Sequence, residues 1–170
     1  MLDEMTRALV MISYEHHEIH EGSLFYAEFV DATMVDTNKL ELIIVTPDTT
    51  RHAHMFFGVS VTGASTTQIY QDVTTSADGT AVTRKNRHGN SSNTATVVVT
   101  HTPTITNDGA LFQTKYCGAT GKFSADGEDQ RSENEWLLKQ NTKYLFRLTA
   151  DANIKGKIFC NWYEHIHWGF

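Results

Sequence analysis

The chain has 170 residues and a formal net charge of −6, with 14 Lys and Arg against 20 Asp and Glu. That length suits one domain with a real core, and the acidic balance argues against sequence-specific nucleic-acid binding, which needs a concentrated basic patch. No run reaches the roughly 20 apolar residues that span a bilayer, so no membrane partner is expected.

In chain order, Leu2, Met5, Leu9 and Ile12 recur at helical spacing, which predicts a short amphipathic helix over residues 1–12. A helix this short is marginal alone and needs a surface to dock on. The opening stretch has acids before its single Arg7 and no signal-peptide core, so synthesis in the cytoplasm is expected. "EHHEIHEG", residues 15–22, reads as a polar link. From Gly22 the period changes to that of strands: "GSLFYAEFVD", "KLELIIVTPDT", and "HAHMFFGVSVTG" with Met55, Phe57, Val59 and Val61 on one face. "TTQIYQDVTT" follows, and Asp78-Gly79 in "SADGT" predicts a hairpin turn. "TATVVVTHT" is β-branched almost throughout. "GALFQTKYCGATG" and "NEWLLKQ" read as shorter strands. "TKYLFRLTAD" and "GKIFCNWYEHIHW" close the chain, with Asp151-Ala152-Asn153 as the turn between them.

Eight or nine strands without helical crossovers predict an all-β fold, an antiparallel β-sandwich of jelly-roll type. The expected organisation is an N-terminal arm over residues 1–21 and a sandwich domain over 22–170. Cys117 and Cys160 are too few and too far apart for a disulfide framework and are expected as reduced thiols.

Three histidine groups bear on chemistry. His17-Glu18-Ile19-His20 resembles the zinc-protease pattern HExxH, but its second histidine falls one residue early. His16 and His20 have the helical spacing, yet Glu18 is not beside the first of them. His52 and His54 form an H-x-H pair on one strand face, and His165 and His167 form a second beside Glu164. Cupins bind metal through H-x-H followed shortly by a glutamate, and no carboxylate follows His54 in that window. Four imidazoles could still converge on zinc or nickel if the two strands met. No serine nucleophile motif, Walker A loop or dinucleotide fingerprint is present, and no cofactor is expected. "RKNRHGNSSN", residues 84–93, is the one local basic cluster and reads as an exposed loop with a weak case for a phosphate contact.

Several stretches, in this order and spacing, resemble a family of small structural proteins of tailed bacteriophages. They are "EHHEIHEG" before an aromatic strand, "VTPDTTRHAHMFFGV", "NRHGNSSNTATVVVTHTPTITNDGALF", "LLKQNTKYLFRLTA" and "NWYEH", and together they run from Glu15 to His165. "GSLFYAEFVDATM" and the two cysteines depart from the likeness. The resemblance implies a β-rich virion component without enzymatic activity. Its leading form is a capsid decoration or cement protein on the head surface that binds the major capsid protein. A neck, tail or baseplate component, a receptor- or glycan-binding module and a cupin-like metalloenzyme are the alternatives. On this reading Leu2, Met5, Leu9, Ile12, His16, His17 and His20 contact the capsid or a neighbouring subunit. The aromatic C-terminal run suggests that Trp162, Tyr163, Trp168 and Phe170 form the interface of a homotrimer.

Overall fold

The computed structural model describes residues 14–118, 124–126 and 135–166. One helix, α1 (Tyr14–Glu21), precedes the strands β1 (Leu24–Met34), β2 (Lys39–Thr46), β3 (Arg51–Val61) and β4 (Ser65–Gln71). Short strands follow: β5 (Thr74–Ala77), β6 (Thr80–Ala81), β7 (Lys85–Asn86), β8 (Val98–His101) and β9 (Thr104–Asn107). Then come β10 (Ala110–Cys117), β11 (Ser124–Asp126), β12 (Glu135–Leu137), β13 (Thr142–Ala150) and β14 (Ile154–Ile166).

The strands form two antiparallel sheets packed face to face, an all-β sandwich. The first sheet runs β11-β3-β14-β1-β7, with β12 also paired to β3. The second runs β10-β4-β13-β2-β8-β6, and β5 and β9 make a small third sheet. Part of the pairing is nested, β1 with β14, β2 with β13, the short β12 with β3 and β4 with β10, while β3 also pairs with β14 and β4 with β13. Strand alternation places the core. Met55, Phe57, Val59 and Val61 of β3, and Ile158, Cys160 and Trp162 of β14, face Leu42 and Ile44 of β2 and Phe146 and Leu148 of β13. Phe57 and Phe146 meet edge-on across the two layers, with ring centroids 5.1 Å apart.

The "EHHEIHEG" stretch is helical where a polar link was expected. Its C-terminal end closes on Gly22 at φ +68°, a conformation that glycine adopts without strain. The Gly22 N–H donates to the Ile19 carbonyl and the Ser23 N–H to the Glu18 carbonyl, both at 3.0 Å, the double bond pattern of a Schellman cap. Ile19 packs on Leu24, Phe56 and Tyr163 of the first sheet, so this part of the arm is docked on its own domain. The expected helix over residues 1–12, with Leu2, Met5, Leu9 and Ile12, lies outside the described residues.

The Asp78-Gly79 expectation is also corrected. β5 and β6 flank that turn but do not pair with each other: β5 joins β9, and β6 joins β8 at the edge of the second sheet. The turn therefore moves the chain from one sheet to another. The whole excursion from β5 to β9 runs along one side of the sandwich, adding β8 and β6 beyond β2 and β7 beyond β1. Ile105 of β9 packs with Ile43, Tyr70, Val73 and Leu145, a second small core on the outer face of the second sheet. Arg147, buried in the same region, donates to Asp108 through both terminal nitrogens at 2.7 Å and to Glu41 through Nε at 2.6 Å. Those bonds hold Asp108 below its ordinary value and raise that of the Arg147 guanidinium.

Candidate functional site

The two H-x-H segments do meet. β3 and β14 are neighbours, and His52 stands directly opposite His165 while His54 stands opposite Tyr163. The rings stack instead of converging: His54 lies 4.6 Å from both His165 and Tyr163, at interplanar angles of 23° and 11°. Stacked imidazoles carry their lone pairs in nearly parallel planes, whereas a metal needs them aimed at one centre. His54 Nδ1 is instead 2.7 Å from Glu135, which also accepts the Tyr163 hydroxyl. This triad fastens β12 to the first sheet. Among the described residues, no group of three or more His, Cys, Asp or Glu is arranged to hold a metal ion. His167 lies outside them.

On α1, His16, His17 and His20 are exposed, while Glu18 is buried and accepts a hydrogen bond from the Ser23 hydroxyl. His16 and His20 approach one another with Nε2 atoms 2.9 Å apart, the consequence of their i, i+4 spacing. His17 stands 3.6 Å from Glu18 and 3.8 Å from Glu21.

The interface expectation for the C-terminal aromatics is corrected for two of its four members. Trp162 is 0% exposed and Tyr163 2%, both buried within the chain itself. Strand parity explains this: Trp162 faces the sandwich interior, and Tyr163 faces outward under Ile19 of α1. Trp168 and Phe170 lie outside the described residues. Next to Trp162, the carboxylate of Glu164 is buried and serves as a clamp. It accepts from Trp162 Nε1 at 2.8 Å, from the Val97 N–H at 3.0 Å, and from the Thr96 N–H and hydroxyl. Four donors on one carboxylate are what make its burial tolerable. The clamp fixes the return limb of the β5–β9 excursion against β14.

Sequence reasoning missed the most exposed apolar surface. β10 is an edge strand, paired to β4 alone among the described residues. It displays Leu111, 53% exposed, Phe112, 44%, and Tyr116, 86%. A β-bulge between Leu111 and Gln113 leaves Phe112 without a cross-strand partner and lets its ring approach Trp136 of β12, at 6.0 Å. The available clue was the adjacent pair Leu111-Phe112, which breaks the in–out alternation of a half-buried strand.

A groove lies on the outer face of the first sheet, at its β7 end. Tyr26, Lys85, Asn86, Arg87, Lys157, Phe159 and Asn161 line a volume of about 520 Å³. It joins the basic cluster of residues 84–93 to Lys157, some seventy positions later in the chain.

No family model, no curated protein and no solved structure matches this chain.

Proposed function

We propose that this chain is a structural protein of a tailed-bacteriophage virion: a decoration protein that sits on the head, binds the major capsid protein and stabilises the shell. The observation that carries the reading is the β10 edge, paired to β4 alone among the described residues, with Leu111, Phe112 and Tyr116 exposed. Lys115 and the bulge at Phe112 are devices that discourage indiscriminate strand pairing, yet the apolar side chains stay on the surface. They offer an apolar docking surface to an extended segment of another chain. The stretch of residues 86–112, which carries much of the resemblance to phage structural proteins, ends on Leu111 and Phe112. The nested part of the strand pairing agrees with jelly-roll winding, an architecture frequent in capsid proteins.

The energetic logic is multiplicity. A contact that is weak once becomes strong when repeated over a lattice and shared among subunits of an oligomer. A homotrimer suits the threefold points of such a lattice. With Trp162 and Tyr163 committed to the fold, Trp168 and Phe170 are the C-terminal residues left for that interface.

The test is co-sedimentation of the purified chain with undecorated capsids, using the wild type and the pair Phe112→Asp and Tyr116→Lys. Both positions are exposed, so both variants fold. Saturable capsid binding by the wild type that both variants lose is expected. Undiminished binding by both overturns the β10 assignment, and a monomer mass by light scattering at all concentrations overturns the trimer.

A further inference from the structure

The groove beside β7 is not used by the proposed attachment. It lies at the β7 end of the first sheet, whereas β10 borders the opposite, β11 end. We propose that this groove binds an acidic saccharide, a pyranose unit that carries a carboxylate. Three features support the assignment, and each meets a different part of such a ligand.

The first is an aromatic platform. Tyr26 and Phe159 are cross-strand neighbours with ring centroids 5.9 Å apart. Phe159 lies flat on the sheet because its neighbour opposite is Gly58: a Cβ there would fall 2.3 Å from the ring. The two rings, inclined at 39°, give an aromatic edge on which the C–H face of a pyranose packs beside the lysines.

The second is charge. Lys85, Arg87 and Lys157 line the groove against one carboxylate, Glu28, on an otherwise acidic chain. The ammonium groups of Lys85 and Lys157 stand 3.4 and 3.6 Å from Glu28. An ammonium has three donors, so both retain capacity for a ligand anion beside Glu28. Each also rests on one of the rings, Lys157 Nζ 4.8 Å from the centroid of Phe159 and Lys85 Nζ 5.9 Å from that of Tyr26. Anion and apolar face would thus be met within one side-chain length.

The third is hydroxyl recognition on a fixed frame. Asn161, buried at the base of the groove, is an amide of the kind that recognises hydroxyls, and Glu28 already accepts one hydroxyl, that of Tyr26, at 2.7 Å. The wall that carries Lys85 and Arg87 is held in place. The Arg87 N–H donates to the Leu24 carbonyl at 2.9 Å, and Asn86 Nδ2 donates to the Gly22 carbonyl at 2.8 Å. Asn93 Nδ2 reaches the Glu21 and Gly22 carbonyls at 3.2 and 3.3 Å. A positioned wall reduces the ordering cost of binding.

The experiment is calorimetric titration of the full chain with a panel of uronic-acid and sialic-acid oligosaccharides, with maltotriose, inorganic phosphate and a single-stranded oligothymidylate as comparators. At least one acidic oligosaccharide is expected to bind about tenfold or more tightly than maltotriose or phosphate, and Lys157→Gln and Lys85→Gln each to weaken it about tenfold, the effect of losing one charge-assisted bond. Both lysines are at the surface, so these variants fold, and a circular-dichroism spectrum identical to the wild type checks it. No binding across the acidic panel, equal affinity for maltotriose or phosphate, tighter binding of the oligothymidylate, or unaltered affinity in both lysine variants overturns the proposal. None of these outcomes depends on capsid attachment.

Discussion

Glu164 is where the fold is most open to a quantitative test. Its carboxylate holds Trp162 Nε1 and the Val97 N–H in the interior and the Thr96 N–H and hydroxyl at the margin. Replacement Glu164→Ala removes the acceptor and leaves the donors. Trp162 and Val97 are 0% and 1% exposed, so water does not replace the carboxylate there. Each buried donor without an acceptor costs about 1–3 kcal/mol, giving about 2–6 kcal/mol for the two. Against a total stability of about 5–15 kcal/mol, that is a large fraction. Glu164→Gln keeps the shape and one acceptor oxygen but sets an amide nitrogen against a donor, at a loss of about 1.5–3 kcal/mol, that of one bond to a charged group. Urea unfolding followed by tryptophan fluorescence measures both, and the order wild type, Gln, Ala is expected. If Glu164→Ala lies within about 0.5 kcal/mol of the wild type, as a neutral surface change would, the clamp contributes nothing and the reasoning fails.

Two further predictions rest on titratable groups. The Arg147 guanidinium, through its hydrogen bonds, holds Asp108 below its ordinary value of 3.8. A folded value below the unfolded one gives stability that is present above the unfolded value and lost as pH falls through the folded one. The melting temperature should therefore drop as pH falls below about 4, and Asp108→Asn should show a shallower drop; an unchanged slope contradicts the pairing. Burial pushes the Cys160 thiol up to about 12, and Cys117 is buried as well. A maleimide reagent at neutral pH should label neither cysteine in the native protein and both in urea, and rapid native labelling of Cys160 by mass spectrometry contradicts its place in the core.

The sandwich was legible where a strand buries one face. In β3 the period-two run Met55, Phe57, Val59 and Val61 names the inward residues because only a pleated strand puts them together. What the sequence concealed was set by non-local pairing. Asp78-Gly79 has the composition of a hairpin turn, but the partners of β5 and β6 are β9 and β8, about twenty residues on for β6. The opening histidines read as a polar link because Glu18 and Ile19, the two residues that seat α1, are a minority in a hydrophilic run. Trp162 looked like surplus aromatic area since nothing local shows that Glu164, two residues later, reaches Thr96 and Val97. The groove was the least legible. Lys85 and Arg87 meet Lys157 only because β7 joins the edge of β1, which β14 flanks on its other side.

The proposed place on a phage capsid surface is tested most directly by quantitative mass spectrometry, which asks whether the chain is present in purified virions from the source of this sequence. The account predicts the chain in a fixed stoichiometric ratio to the major capsid protein, as repeated lattice binding requires. Its absence from virions, or only the few copies per particle of a neck or tail component, would contradict it.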